Sequence, residues 1–241
     1  MAWLEGAIAV RAAIEAQSRE VEAVYIRRGK WRREVGAVKK TAVSANIPVR
    51  MVDDAFISQH ASGKSHGGVL AKVGPRRFVD LSDLLTGSAS PFIVMLDGIE
   101  DPFNFGQAVR TLYAAGVDGL VVRPRNWLTA VSVVARSSAG ASERIPMAVA
   151  ETAVAAATYF KAHGLAIACT SRENAVSLFD ADLTQSLFLL IGGERRGITR
   201  SFLAESDLRL EIPYGRSFAQ SLGTVASASV VSFELLRQRT S

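Results

Sequence analysis

The sequence predicts an α/β protein made of a small N-terminal domain and a larger C-terminal domain built on a parallel sheet. Strand-like and helix-like segments alternate along most of the 241 residues, a pattern typical of parallel sheets covered by helices on both faces. A small, polar, breaker-rich stretch at residues 84–91 is typical of a linker. We therefore predict one domain at residues 1–86, a linker at 87–91 and a second domain at 92–241.

The distribution of charge also separates the two domains. The formal net charge is +5, and residues 1–90 hold 14 basic and 9 acidic side chains, against 14 and 14 in residues 91–241. The whole excess of positive charge therefore belongs to the N-terminal part. A basic surface confined to one domain is the usual footprint of a polyanion such as nucleic acid, although such a surface can also serve solvation alone.

Periodicity and turn residues define the elements of the N-terminal domain. Helical apolar spacing begins after Gly6, and the alternation at residues 21–26 favours a strand. The expected elements, in order, are a helix at 6–16, a strand at 21–26, a helix carrying Lys39 and Lys40, a strand at 47–52, a helix at 53–59 and a strand after the glycine turn within 65–73.

The C-terminal domain begins with a strongly apolar strand at residues 92–97. The next helix is predicted to start with Asn104 as its N-cap and to end at Gly116. The elements expected after it are a strand at 119–122, helices at 127–136 and 152–162, a strand at 165–170, a short helix near Ser177, a strand at 187–191, a short helix at 199–204, a strand at 208–212 and a long final helix at 221–238.

Composition disfavours several classes of protein. The chain is 49% apolar and 21% charged, so a folded core is expected and disorder is not. The sequence has no uninterrupted apolar run of about 18 residues, as a membrane helix requires, and no secretory signal pattern at its N-terminus. Cys169 is the only cysteine, and the three histidines lack ligand spacing. We therefore expect a cytoplasmic protein without a metal site and without contact to a membrane.

The N-terminal domain carries a basic cluster directly after its first predicted strand. This position favours contacts with nucleic-acid phosphates, and a solvated helix face is the alternative interpretation. His66 lies between a serine and two glycines, so its side chain either stabilises a turn or contacts a ligand. The candidate RNA-binding residues are Arg27, Arg28, Lys30, Arg32, Arg33 and His66.

A glycine-rich loop follows the apolar strand at residues 187–191. Glycine lets the backbone approach a ligand closely, and ligands of open α/β sheets bind beyond the carboxyl ends of strands. The competing interpretation is an ordinary strand-to-helix turn, in which the negative charge of Glu194 stabilises the N-terminus of the next helix. The dinucleotide fingerprint is absent from the sequence, which disfavours an oxidoreductase. The phosphate loop and the nucleophile elbow are absent as well.

Three ordered segments of the C-terminal domain form a recognisable set. They are Asn104-x-Gly106-x-x-x-Arg110, then Gly192-x-Glu194-x-x-Gly197, then Ile212-Pro213-Tyr214-Gly215 followed by Ser221-Leu222. This set, with Ser138-Ala139-Gly140-Ala141 between its first two members, resembles the motifs of the SpoU (TrmH) RNA 2′-O-ribose methyltransferases of the SPOUT class. The resemblance covers residues 92–239, and the N-terminal domain is similar to the family's ribosomal-protein-like substrate-binding domain at Gly6–Val10 and His66–Val69.

The resemblance implies a fold, a methyl donor and an assembly. The C-terminal segment would form a deep trefoil knot, an exception to the rule against threaded chains. S-adenosylmethionine would bind in that knot, and the protein would be a homodimer with RNA as its substrate. The resemblance gives Gly192, Gly197, Ile212 and Leu222 as donor-binding positions. It gives Asn104, Arg110, Glu194 and Ser221 as catalytic candidates.

The role of the candidate arginine stays open at this level. The family assigns a matching arginine to acceptance of the hydroxyl proton, whereas a guanidinium remains protonated in nearly all settings. Arg110 is therefore either a base or a clamp for phosphate and developing alkoxide.

The third motif departs from the family, because Gly223 stands where asparagine is usual. The leading function is 2′-O-methylation of ribosomal RNA. The alternatives are the same reaction on transfer RNA and a non-catalytic RNA-binding assembly factor that keeps the knotted fold.

Overall fold

The computed structural model describes residues 1–124, 130–193 and 197–240. Its helices and strands follow one another in the alternation that the sequence predicts. In chain order the elements are β1 (Ala2–Glu5), α1 (Ala7–Ala16), β2 (Arg19–Arg27), α2 (Arg33–Ser44), β3 (Val49–Val52), α3 (Asp54–His60), β4 (Val69–Arg76), a 3₁₀ turn (Leu81–Leu85), β5 (Phe92–Asp97), α4 (Pro102–Ala114), β6 (Gly119–Val122), α5 (Val131–Ser137), α6 (Ala141–Arg144), β7 (Met147–Val149), α7 (Ala153–Ala162), β8 (Ala166–Thr170), β9 (Val176–Ser177), β10 (Leu187–Gly192), α8 (Arg200–Glu205), β11 (Leu208–Glu211) and α9 (Thr224–Thr240).

The chain divides into two compact units. The first contains residues 1–77 and 126–144, and the second contains residues 78–125 and 145–241. These borders differ from the predicted linker at 87–91 in two respects. Helices α5 and α6 pack with the N-terminal elements, and the 3₁₀ turn packs with the second unit, where Leu84 is buried beneath Gly119.

The first unit is built on a mixed sheet. Among its described residues, four strands lie in the order β1–β4–β2–β3, with β4 antiparallel to both neighbours and β2 parallel to β3. Apolar residues of α1, α2 and α5 pack with these strands in one core cluster. A second cluster contains Trp3, Tyr25 and Phe56, whose rings contact one another.

The second unit is built on a parallel sheet. Among the described residues, seven strands lie in the order β7–β6–β5–β10–β8–β11–β9, and every neighbouring pair is parallel. Phe188 and Leu190 of β10 join a core cluster with Phe160 of α7 and Phe202 of α8. The alternate β10 residues are buried as well, so both faces of the central strand are covered. The predicted parallel α/β fold is therefore confirmed.

The structure corrects the predicted start of one helix in the second unit and the predicted type of one short segment. Helix α4 is capped by Asp101, whose carboxylate accepts a hydrogen bond from the Phe103 amide, with Pro102 as the first helical residue. Asn104 therefore lies inside the helix, because an aspartate followed by proline is the stronger start signal. The segment near Ser177 is a strand, since it pairs with the edge of β11.

The final helix begins later than predicted. Residues 221–223 precede α9, and the carbonyl of Gly223 accepts the Ser227 amide at the first turn. The sequence prediction also missed β1, which is short and is held by its pairing with β4. Residues 127–129 of the predicted helix at 127–136 lie outside the described residues.

A buried ion cluster attaches α6 to the sheet of the first unit. The Glu143 carboxylate accepts hydrogen bonds from Ser18 Oγ at 2.6 Å and Arg19 Nε at 2.9 Å, and Arg76 Nη1 lies 3.6 Å away. The three charged side chains are at most 8% exposed. Burial lowers the pKa of Arg76 to about 10, although Glu143 opposes the shift. The Glu143 carboxylate thus contacts two buried guanidinium groups at once.

We expect Glu143→Ala to lower the free energy of unfolding by about 3–5 kcal/mol, because it leaves buried cations uncompensated. Urea denaturation followed by circular dichroism measures the change. The control is Glu22→Ala, which breaks the exposed pair with Lys72 and should cost at most about 1 kcal/mol. Equal losses in the two variants would contradict the importance of the buried cluster.

Candidate active site

A cavity of about 210 Å³ lies at the carboxyl ends of β8, β10 and β11 in the second unit. Backbone, apolar side chains and hydroxyl groups all contribute to its wall. The described residues that line it are Thr170, Ser171, Arg172, Gly192, Gly193, Gly197, Ile198, Leu210, Ile212, Tyr214, Ser221, Leu222, Thr224 and Ser227. The carboxyl ends of parallel strands are the usual ligand position in such sheets.

The glycines after β10 allow two backbone segments to meet beside the cavity. A Cβ at Gly193 would lie 2.3 Å from the carbonyl oxygen of Gly98, which follows the neighbouring strand β5. A Cβ at Gly192 would lie 3.0 Å from the carbonyl carbon of Gly197 and from Ile198 Cγ1. The Gly197 amide donates to the Gly193 carbonyl at 3.2 Å. Side chains at 192 and 193 would therefore force the loop away from its place.

The start of α9 is attached to the same loop. Thr224 Oγ1 donates a hydrogen bond to the Gly192 carbonyl at 3.2 Å, and the side chain is almost fully buried. Gly223, which replaces the usual asparagine, contributes its carbonyl to the first turn of α9. The third motif therefore contacts the second motif through the threonine that follows the glycine.

The structure brings five of the predicted site residues together. Gly192, Gly197, Ile212, Ser221 and Leu222 all line the cavity. They come from the ends of two strands and from the segment before α9, so their proximity results from the parallel sheet and is not visible in the sequence spacing.

The other predicted catalytic residues do not line the cavity. Asn104 lies half-buried in the first turn of α4, and Arg110 lies on the exposed face of that helix. Glu194 lies outside the described residues, as do Arg195 and Arg196.

The predicted RNA-binding residues occupy one region of the first unit. The basic cluster lies between the end of β2 and the start of α2, and all five of its side chains are exposed. Arg27 forms an ion pair with Asp54 at 3.1 Å. His66 and Arg32 line a cavity of about 460 Å³ that also includes Arg136 and the first residues of α1.

Several residues of the first cavity and of the basic cluster were not predicted from the sequence. Thr170, Ser171 and Arg172 line the first cavity because they lie at the carboxyl end of β8 and directly after it. Their position at the end of a predicted strand was the available signal. Trp31 lies within the basic cluster and is 42% exposed, with Lys39 Nζ 5.2 Å from its ring centroid. An aromatic residue among cations is a recognisable signal for nucleic-acid contact.

Two further findings concern the described residues only. Within residues 1–124, 130–193 and 197–240, no group of three or more His, Cys, Asp or Glu side chains is arranged to hold a metal ion. No helix of these segments is long and apolar enough to cross a membrane.

Two models of known protein families match this chain, one in its N-terminal part and one in its C-terminal part. Residues 91–233 match the family model described as SpoU rRNA Methylase family. Residues 3–79 match the model described as RNA 2′-O ribose methyltransferase substrate binding. The chain therefore belongs to the SpoU rRNA methylase family, as the resemblance of its motifs predicted, and it is an RNA 2′-O-ribose methyltransferase.

Individual relatives cover almost the whole chain. The 23S rRNA (guanosine-2′-O-)-methyltransferases RlmB of Vibrio vulnificus and Photorhabdus laumondii are 26% and 28% identical to it, over 98% of this chain and 97% and 98% of theirs. The crystal structure of the SpoU methyltransferase AviRb from Streptomyces viridochromogenes, in complex with the cofactor AdoMet, has a TM-score of 0.81 at 22% identity, covering 99% of this chain and 90% of that one. This last similarity establishes the fold.

Proposed function

We propose that this enzyme transfers a methyl group from S-adenosylmethionine to the 2′-hydroxyl of a nucleotide in ribosomal RNA. The main support for this proposal is the cavity where the second and third motifs meet. The chain also matches both the methylase and the substrate-binding family models. Relatives named for 23S ribosomal RNA align over nearly all of the chain, which favours ribosomal RNA over transfer RNA.

The chemistry of the cavity suits a donor that combines a purine, a ribose and an amino acid. We propose that Gly192 and Gly197 present backbone groups to it, and that Ile212 and Leu222 flank the purine. Hydroxyl side chains at the wall match the polar atoms of a ribose and an amino acid. When bound, the donor supplies a methyl group on a positively charged sulfur.

The protein must align the ribose hydroxyl and favour loss of its proton, and positioning alone contributes strongly to such reactions. We propose that Arg110 clamps an RNA phosphate and stabilises the developing alkoxide, because a guanidinium offers several hydrogen-bond donors and a positive charge. Acceptance of the hydroxyl proton is the alternative role. Asn104 would hold Arg110 or the adjoining loop. Ser221 and Glu194 would contact ribose hydroxyls.

We propose that the enzyme is a homodimer whose site is completed at the subunit junction. Phe103, Arg110 and Tyr113 lie on one face of α4, and the two aromatic side chains are 52% and 42% exposed. Phe233 of α9, the helix that packs against α4, is 48% exposed. Exposed aromatic residues beside an arginine are typical of protein interfaces, and a second copy would bring an Arg110 to a junction.

We also propose that the segment between β11 and α9 is threaded as the trefoil knot of the SPOUT class. The contacts that support this are those of Arg172, which binds carbonyls of residues 218–220, and of Thr224, which binds Gly192. The segment is therefore held between the loop after β8 and the end of β10. The cytoplasmic location, where ribosomal RNA resides, is likewise a proposal.

We propose that the basic cluster and the cavity beside it bind the RNA. The exposed cations would contact phosphates, and Trp31 offers a stacking surface to an unpaired base. The Gly68 amide donates to His66 Nδ1 at 3.0 Å, so in the neutral ring Nε2 carries the proton and is available as a donor. The first unit would thereby recognise folded RNA through the RNA phosphate backbone and through one unstacked nucleotide.

The proposed reaction is tested by incubating the protein with radiolabelled donor and either ribosomal or transfer RNA. We expect 2′-O-methyl nucleotides in ribosomal RNA, and Arg110→Ala should reduce kcat by about 10²–10³-fold, as expected when a charge-stabilising donor is removed. Lys161→Ala, which removes an exposed cation paired with Asp207 at the end of α7, is the control. Near-normal turnover by Arg110→Ala would remove that residue from the mechanism, and RNA binding without methylation would favour the assembly-factor alternative.

The proposed dimer is tested by light scattering. The wild-type protein should show twice the 25.8 kDa mass of one chain, and Phe233→Lys should shift it toward the monomer because it places a charge in an apolar contact. Phe179→Lys, at a residue that is 54% exposed elsewhere in the second unit, should leave the mass unchanged. A monomeric wild-type protein at micromolar concentration would contradict the proposal.

The proposed RNA surface is tested by the salt dependence of binding. In Lys30→Gln/Arg32→Gln/Arg33→Gln the slope of log affinity against log salt should become shallower by about one for each phosphate that the variant no longer neutralises. Arg11→Gln removes a cation that is already paired with Glu15 and should leave the slope unchanged. An unchanged slope in the triple variant would place the RNA on another surface.

A further inference from the structure

Arg172 holds the segment that leads into α9 by three consecutive carbonyl groups. Its Nη1 donates to the Ala219 carbonyl at 3.0 Å, and its Nη2 donates to the Gln220 carbonyl at 2.8 Å and more weakly to that of Phe218 at 3.5 Å. The planar fork of a guanidinium is suited to several acceptors at once. Arg172 therefore fixes the path of the backbone at residues 218–220.

Tyr214 continues this arrangement to the cavity wall. The Arg172 guanidinium carbon lies 4.6 Å from the centroid of the Tyr214 ring. The Tyr214 hydroxyl accepts a hydrogen bond from the Leu222 amide at 3.0 Å and donates to the Gln220 carbonyl at 3.3 Å. The Gln220 carbonyl is thus shared by Arg172 and Tyr214, which makes the two side chains one clamp.

The segment has little else to hold it in place. Residues 215–221 are all exposed, so apolar burial contributes little to its conformation, and segments of this kind open at low free-energy cost. Yet Ser221 and Leu222, which follow directly, line the cavity, as do Arg172 and Tyr214 themselves. Thr224 attaches the start of α9 to Gly192, and the rings of Tyr214 and Phe218 lie 6.2 Å apart. The path of the backbone just before Ser221 and Leu222 therefore depends mainly on the contacts of Arg172 and Tyr214.

We propose that Arg172 and Tyr214 are positioning residues for the methyl donor, because their clamp holds the wall formed by residues 221 and 222 in its binding conformation. The inference rests on the proposed function, since it concerns the affinity of the same cavity for S-adenosylmethionine. The clamp pre-organises the cavity, so the donor does not have to order the segment when it binds. It acts on binding and leaves the transfer step to other residues.

The experiment compares donor affinity with turnover. In Tyr214→Phe the ring stays and the hydroxyl is removed, and in Arg172→Lys the charge stays and the fork is removed. We expect each to raise the Kd for S-adenosylmethionine in calorimetry, and the KM for the donor, about three- to tenfold, as the loss of one or two hydrogen bonds predicts. At saturating donor, kcat should change by less than about twofold, because the clamp favours the donor equally in the ground state and in the transition state.

The double variant provides an independent criterion. Because both side chains hold the Gln220 carbonyl, the increase in Kd should be smaller than the product of the two single increases. Full multiplicativity would show two separate interactions and would overturn the idea of one clamp.

Matched controls separate positioning from general stability. Arg239 also donates to three carbonyls, those of Leu183, Ser90 and Gln185, and lies 5.6 Å from the Phe92 ring, but at the amino ends of the strands. Arg239→Lys should lower Tm without changing the donor Kd. Tyr159→Phe, on α7, is the control for removal of a phenol hydroxyl.

The outcomes separate the inference from the proposed function. A wild-type protein that binds donor, together with unchanged Kd values in Tyr214→Phe and Arg172→Lys, would overturn the clamp and leave the function intact. If the donor Kd of these two variants changes no more than that of Arg239→Lys, Arg172 and Tyr214 contribute only to the stability of the fold. A wild-type protein that does not bind donor at millimolar concentration would overturn the proposed function, and the inference with it.

Discussion

The close approach of two backbone turns is the constraint on which the site depends. Gly98 follows β5 and Gly193 follows β10, and these strands are parallel neighbours, so their carboxyl ends meet at one edge of the sheet. The turns touch so closely that a Cβ at 193 would lie 2.3 Å from the Gly98 oxygen. Substitution there would have to move main chain, since no flexible side chain is available to yield.

The remainder of the cavity is assembled onto this contact. Beside β10, strands β8 and β11 add their own carboxyl ends, and α9 is attached through Thr224 and the Gly192 carbonyl. The polar groups of the wall are mostly backbone and hydroxyl groups, which bind without carrying a fixed charge. Such a wall suits a large ligand of mixed polarity.

The missing asparagine of the third motif has a structural counterpart in this chain. Gly223 contributes only its carbonyl, to the first turn of α9, and the neighbouring threonine and tyrosine side chains make the contacts to Gly192 and Leu222. The organisation of this wall is therefore distributed over Arg172, Tyr214 and Thr224. Such a distribution cannot be read from a motif, because it depends on where a segment after β8 meets the segment before α9.

The alternation of elements, the parallel sheet and the family could all be predicted from the sequence, because apolar periodicity and ordered motifs are written directly in the order of the residues. It also led to the prediction that Gly192, Gly197, Ile212, Ser221 and Leu222 belong to one site, and the structure brings them to the wall of one cavity. The packing of α5 and α6 with the first unit, and the approach of Arg172 to the cavity wall, became visible in the folded chain alone. The physical reason is that these arrangements depend on contacts between segments far apart in the sequence, where no local pattern records which side chains will meet.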